Sequence, residues 1–151
     1  MARIAIVASA RFPLRRPFAG GLEALTYHLA TRLRARGHEV VIYASADSDP
    51  ALGARPIVPE AVRLELTEAA KRDPSMVAQP FLEEHHAYLA LMLELQGGEV
   101  DVVHNHALHY LPIAMAPGLP VAVLTTLHTP RHRGSRARWR PCRGRPTRSS
   151  G

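Results

Sequence analysis

The chain has 151 residues, 46% of them hydrophobic, which is enough for one domain with a buried core and too apolar for an unfolded chain. Its formal charge of +6 is unevenly spread: residues 1–130 carry 11 Lys and Arg against 13 Asp and Glu, whereas residues 131–151 carry eight Arg and no acid. The body therefore excludes a general nucleic-acid surface, and the single cysteine, Cys142, excludes an internal disulfide and fits a reducing, cytoplasmic setting.

The opening stretch, MARIAIVASA, has the outline of a signal peptide, but its apolar run is too short. Residues 3–9 read better as a strand buried on both faces, apolar and without alternation. Pro13 and Pro17 mark a loop. From Gly21, Leu22, Leu25, Leu29 and Leu33 recur at helical spacing, and Gly37 supplies the stop. A second buried strand spans 38–45. Strand, helix and strand in about forty residues make a βαβ unit.

Residues 46–61 read as loop, and 62–67 as a short strand. A second helix starts at Pro80, with Leu82, His85, Leu89, Met92 and Leu93 on its apolar face, and ends at Gly97-Gly98. A strand over 100–106, a short helix over 107–116 and a last strand over 121–128 complete the pattern. Pro112, Pro117, Gly118 and Pro120 break the best apolar run, so a peripheral membrane contact is the most that is expected of a bilayer. The expected fold is α/β and Rossmann-like, a mostly parallel sheet with helices on both faces, spanning residues 1–130.

After Pro130 the text changes to an Arg-, Pro-, Gly- and Ser-rich string with no period, and residues 131–151 are expected to be a disordered basic tail. Out-of-frame reading of a GC-rich gene gives such text, and the abrupt change suggests that the tail is foreign to the fold. Its arginines would attract phosphates of RNA or membranes in a salt-dependent way, with Trp139 as its one aromatic. Cys142 has no His or acid beside it to activate the thiol.

Three places carry chemistry. Gly20-Gly21 opens the first helix, where unpaired N–H groups and the helix dipole favour an anion, with Arg11, Arg15 and Arg16 in the same loop. The pair fits neither the dinucleotide fingerprint nor a Walker loop, and an ordinary glycine turn explains it equally well. The stretch HNHALH places His104, Asn105, His106 and His109 at the end of a strand. It has some likeness to the metal motif of zinc hydrolases, but Leu108 stands where an Asp is needed, so polar residues lining a cleft are the preferred reading. TTLHTP places Thr125, Thr126, His128 and Thr129 at the end of the last strand, where an imidazole can bond a sugar hydroxyl or stabilise developing charge. Asp47, after the second strand, reads as surface loop.

Taken in register, IAIVASARFPLRRPFAGGLEALTYHLATRLRARGHEVVIYA, DVVHNHALHYLP and LTTLHTP resemble the amino-terminal domain of a family 4 glycosyltransferase, over residues 1 to about 130. The resemblance implies half of a GT-B fold, in which two Rossmann-like domains face across a cleft. It implies a nucleotide-sugar donor, an acceptor of unknown identity, transfer with retention, and no metal or other cofactor. Gly20 and Gly21 would lie against the donor diphosphate and His128 would be catalytic, reaching the donor sugar. Arg11, His104, Asn105, His106, His109 and Thr126 would line the acceptor pocket. The donor-binding half, with its acidic motif and phosphate-gripping basic residues, is not in this sequence, so the chain alone is expected to be inactive. Two other functions stay open: a non-catalytic nucleotide- or partner-binding module, and a zinc hydrolase through His104, His106 and His109.

Overall fold

The computed structural model describes residues 1–58 and 65–128. Thr129, the expected basic tail with Cys142, and residues 62–64 of the expected strand lie outside the described residues. Five parallel strands form one sheet in the order β3-β2-β1-β4-β5. They are β1 (Arg3–Val7), β2 (Glu39–Ala44), β3 (Arg55–Pro56), β4 (Val102–Asn105) and β5 (Ala122–Thr125). The helices are α1 (Gly21–Ala35), α2 (Glu68–Arg72), α3 (Gln79–Gln96) and α4 (Leu111–Met115).

The run RIAIV forms the central strand because it can be buried on both sides. Ile4 and Ile6 pack with Val40, Ile42 and Ala30 on the α1 face. Ala5 and Val7 pack with Val103, Tyr88, Leu91 and Met92 on the face of α3. Each Ile, Val, Leu or Met side chain among them, where fully buried, contributes about 1.5–3 kcal/mol. Helices thus cover both faces of a parallel sheet, as the sequence predicts.

The faces the helices bury differ from the expected ones. On α1 the inward line is Glu23, Thr26 and Ala30, while Leu22, Leu29 and Leu33 flank it and Leu25 is half exposed. Two of the three, Thr26 and Ala30, are small. Thr26 can be fully buried because its hydroxyl donates to the Leu22 carbonyl at 2.8 Å. On α3 the buried set is Ala87, Tyr88, Leu91, Met92 and Leu95, and Leu93 is exposed. The α1 stop is as predicted: Gly37 takes φ 83°, and the Gly37 and His38 N–H groups bond back to Arg34 and Leu33 at 2.9 and 3.2 Å.

Two elements escape sequence reading. β3 has two residues, inside what reads as loop, and pairs with the end of β2. Glu65–Thr67 are not strand: Thr67 caps α2, its hydroxyl accepting from the Ala70 N–H at 3.3 Å.

The strand order reverses direction at β1, with β2 on one side and β4 on the other. In open parallel sheets ligands bind at such a switch point, beyond the carboxyl ends of the strands. The loop from β1 to α1, the start of α1, and the residues after β4 and β5 all lie along that edge.

Candidate active site

His104 and Asn105 end β4 in register with Ile6 and Val7 on β1 and with Leu124 and Thr125 on β5. Alternation along the strand sends them to opposite faces. One further backbone bond on each side extends the pairing: the His106 N–H reaches the Val7 carbonyl at 2.8 Å, and the Thr126 N–H reaches the Asn105 carbonyl at 2.9 Å. His106 and Thr126 are therefore fixed by the sheet itself rather than by a free loop.

Three imidazoles gather there. His104 and His106 have ring centroids 4.1 Å apart, and those of His106 and His128 are 5.2 Å apart. His104 Nε2 lies 2.9 Å from Thr126 Oγ1, and His106 Nδ1 lies 3.0 Å from His128 Nε2. His106 is fully buried. Burial, then the neighbouring His104 and His128, push its pKa down to about 4. Burial, then His128, also holds His104 below the ordinary imidazole range. Two buried rings held neutral, His104 and His106, at the end of a sheet can orient oxygen-rich ligands without adding charge.

The other expected site residues are placed differently. Asn105 is buried, its amide donating to Thr125 Oγ1 at 3.3 Å while its Oδ1 accepts from the Ala107 N–H at 3.0 Å. Both bonds hold the turn after β4. His109 stands apart from His104 and His106, stacked between Tyr88 and Tyr110 at 5.2 and 4.8 Å, with Phe81 beside it at 5.4 Å. The set His104, His106 and His109 is thus not assembled around one point, and among the described residues no group of His, Cys, Asp or Glu is arranged to hold a metal ion. Arg11 is engaged in a two-point pair with Glu84, at 2.8 and 3.3 Å.

Gly20 caps α1 in an extended conformation with no side-chain hydrogen bond to the helix start. A Cβ built on Gly21 would meet nothing within 4 Å, and one on Gly20 would lie 3.2 Å from Glu23 Oε2. The approach to the helix start at Gly21 is open. Glu23, acidic and buried in the first turn, already sets a carboxylate against Gly20.

Two cavities line the same edge, sharing Ala46 and Asp47. One, of about 450 Å³, is walled by Ser45, Asp47, Gln79 and Glu83; the other, of about 460 Å³, by Arg15, Arg16, Ser48 and Asp49. Sequence reading missed Glu84 and Tyr88, the partners that hold Arg11 and His109 in place. Thr125, expected at the cleft end of the last strand, is instead the hydroxyl that holds Asn105. Glu84 and Tyr88 sit in mid-helix with no local signal.

The family model of Glycosyltransferase Family 4 matches residues 19–149. That span runs past residue 130, the boundary expected from composition. Among solved structures, the glycosyltransferase SsfS6 of Streptomyces sp. SF2575 is similar at 21% identity and a TM-score of 0.38, over 83% of this chain and 39% of that one. The same enzyme complexed with thymidine diphosphate is similar at 23% identity and a TM-score of 0.40, over 83% of this chain and 38% of that one. The chain spans about two fifths of the length of these proteins. No curated protein gives a significant match. The family model covers most of the chain, from the loop before Gly20 through all three clustered histidines, and the chain belongs to glycosyltransferase family 4.

Proposed function

We propose that this chain is the acceptor-side part of a glycosyltransferase that moves a sugar from a nucleotide-sugar donor to an acceptor, with retention and without a metal. The N–H groups at Gly20 and Gly21 meet the donor diphosphate, where the helix dipole offsets charge on the leaving group. His128 contacts the donor sugar. His104 and Thr126 face the acceptor, and His106 supports them. The same reading holds that the chain does not turn over donor alone.

One observation carries the proposal: the hydrogen-bonded imidazoles of His104, His106 and His128 stand at the same sheet edge as the start of α1, which has no side-chain cap. Titration calorimetry with uridine and guanosine diphosphate sugars tests the fragment reading. No micromolar binding and no turnover are expected, and turnover by the purified 151-residue chain overturns it. Nuclear magnetic resonance with uridine diphosphate at millimolar concentration tests the placement. Shifts confined to the amides of residues 20–22 and the His128 ring are expected; shifts elsewhere, or none, refute it.

A further inference from the structure

His106 and His128 share a single hydrogen bond, Nδ1 to Nε2 at 3.0 Å, and one of the two nitrogens must supply its proton. His106 decides which. Its ring is fully buried, and its Nε2 has no partner among the described residues. Held well below the ordinary imidazole range, the ring is neutral near pH 7 and carries one proton. Were that proton on Nε2, a buried N–H would be orphaned. On Nδ1 it is satisfied by His128, and Nε2 keeps a bare lone pair. An orphaned buried donor is the rarer and costlier arrangement. His109 has no such choice, because its Nδ1 already accepts from the Leu111 N–H at 3.2 Å. His104 does not compete for the shared proton, since its own Nε2 is engaged with Thr126.

We infer that His106 is a positioning residue that donates from Nδ1 to His128 Nε2, so that the neutral form of His128 is locked with its own proton on Nδ1. Which nitrogen of an imidazole carries the proton is set by the bond the other nitrogen makes. The half-buried His128 ring then offers a donor, not a base. On the glycosyltransferase reading proposed above, His128 bonds a hydroxyl, ether or phosphate oxygen of the donor. It does not take the proton from an acceptor hydroxyl, because its lone pair is already occupied.

The test uses the whole chain with ¹⁵N-labelled histidine, at about pH 8, above the ordinary imidazole range. The expected spectrum shows His128 protonated at Nδ1 and unprotonated at Nε2. A nitrogen–nitrogen coupling should cross the shared bond, with the one-bond N–H coupling on His106 Nδ1. His106→Asn keeps an amide donor near that position and should preserve the His128 tautomer. His106→Leu removes the donor, and the single-tautomer signature of His128 should be lost. A shared proton found on His128 Nε2 in the wild type overturns the inference, as does an unchanged His128 tautomer in folded His106→Leu. If His106→Leu does not fold, the wild-type coupling decides alone. A lock that is present while uridine diphosphate leaves His128 unmoved refutes the functional reading and leaves the lock standing.

Discussion

The Tyr88 hydroxyl on α3 donates to the Ala8 carbonyl, just past the end of β1, at 3.0 Å. The same oxygen accepts from the Ala10 N–H at 2.9 Å, so one buried group satisfies two backbone groups where β1 turns into the loop leading to Gly20. Burial raises the Tyr88 pKa far above its usual value, and the hydroxyl stays protonated as a donor. Tyr88→Phe removes the oxygen and leaves the buried Ala8 carbonyl and the half-buried Ala10 N–H without this partner. We expect a loss of about 1–3 kcal/mol in urea unfolding, with the denaturant slope unchanged. A smaller loss means that water or a rearranged loop replaces the hydroxyl.

The histidine cluster makes stability depend on pH. An unfolded His106 takes up its proton near pH 6.5, whereas the folded one does so only near about 4. Between those values the unfolded chain binds more protons, so stability falls as pH is lowered through the window and levels off below it. One such ring gives a slope of roughly 1.4 kcal/mol per pH unit. His104, shifted in the same direction, steepens it. Unfolding midpoints at pH 7.5, 6, 5 and 4 should therefore drop steadily, and His106→Asn should flatten the profile. A midpoint that holds constant from pH 7 to 5 contradicts the burial of a neutral His106.

What the sequence makes legible follows from which forces are local. The central strand is readable because RIAIV needs burial on both faces wherever it lies, and the end of α1 because Gly37 must take a left-handed turn. Gly20, Gly21, His104, His106 and His128 are readable as strand-end and helix-start residues, since chain order in a parallel sheet places such positions on one edge. Partners are not readable. Arg11 looks free for a ligand until α3 brings Glu84 to it, 73 residues away. His109 looks like a third member of its motif until the turn held by Asn105 sends it toward Tyr88. The leucines of α1 look like its core face because periodicity ranks residues by apolarity. The sheet selects by size, and takes Thr26 and Ala30.

The Arg11–Glu84 pair should matter little to stability. Arg11 is more than half exposed while Glu84 is 13% exposed, so water and salt screen the pair. We expect Arg11→Ala to lower stability by less than about 1 kcal/mol. The effect should shrink between about 50 and about 500 mM salt in side-by-side comparison with the wild type, as the Debye length falls. A loss that is large and indifferent to salt indicates that the arginine stem packs against α3 and acts through contact.

Gly21 separates the needs of the fold from those of a ligand. Its φ is not positive, and an added Cβ meets nothing within 4 Å, so the backbone there accepts any residue. As the first residue of α1, alanine is the better helix former, by up to about 1 kcal/mol. Gly21→Ala should therefore raise the melting temperature slightly. At Gly20 the sign is reversed: alanine is a poor N-cap, and its Cβ would stand 3.2 Å from Glu23 Oε2, so Gly20→Ala should destabilise by about 1 kcal/mol. If the start of α1 receives a diphosphate, the Cβ of Gly21→Ala stands in the open approach and weakens binding of uridine diphosphate while the fold gains. Opposite signs for stability and binding in one variant are the outcome expected of a glycine kept for a ligand. Equal binding by Gly21→Ala and the wild type, read from the amide shifts of residues 20–22, removes the diphosphate from this helix.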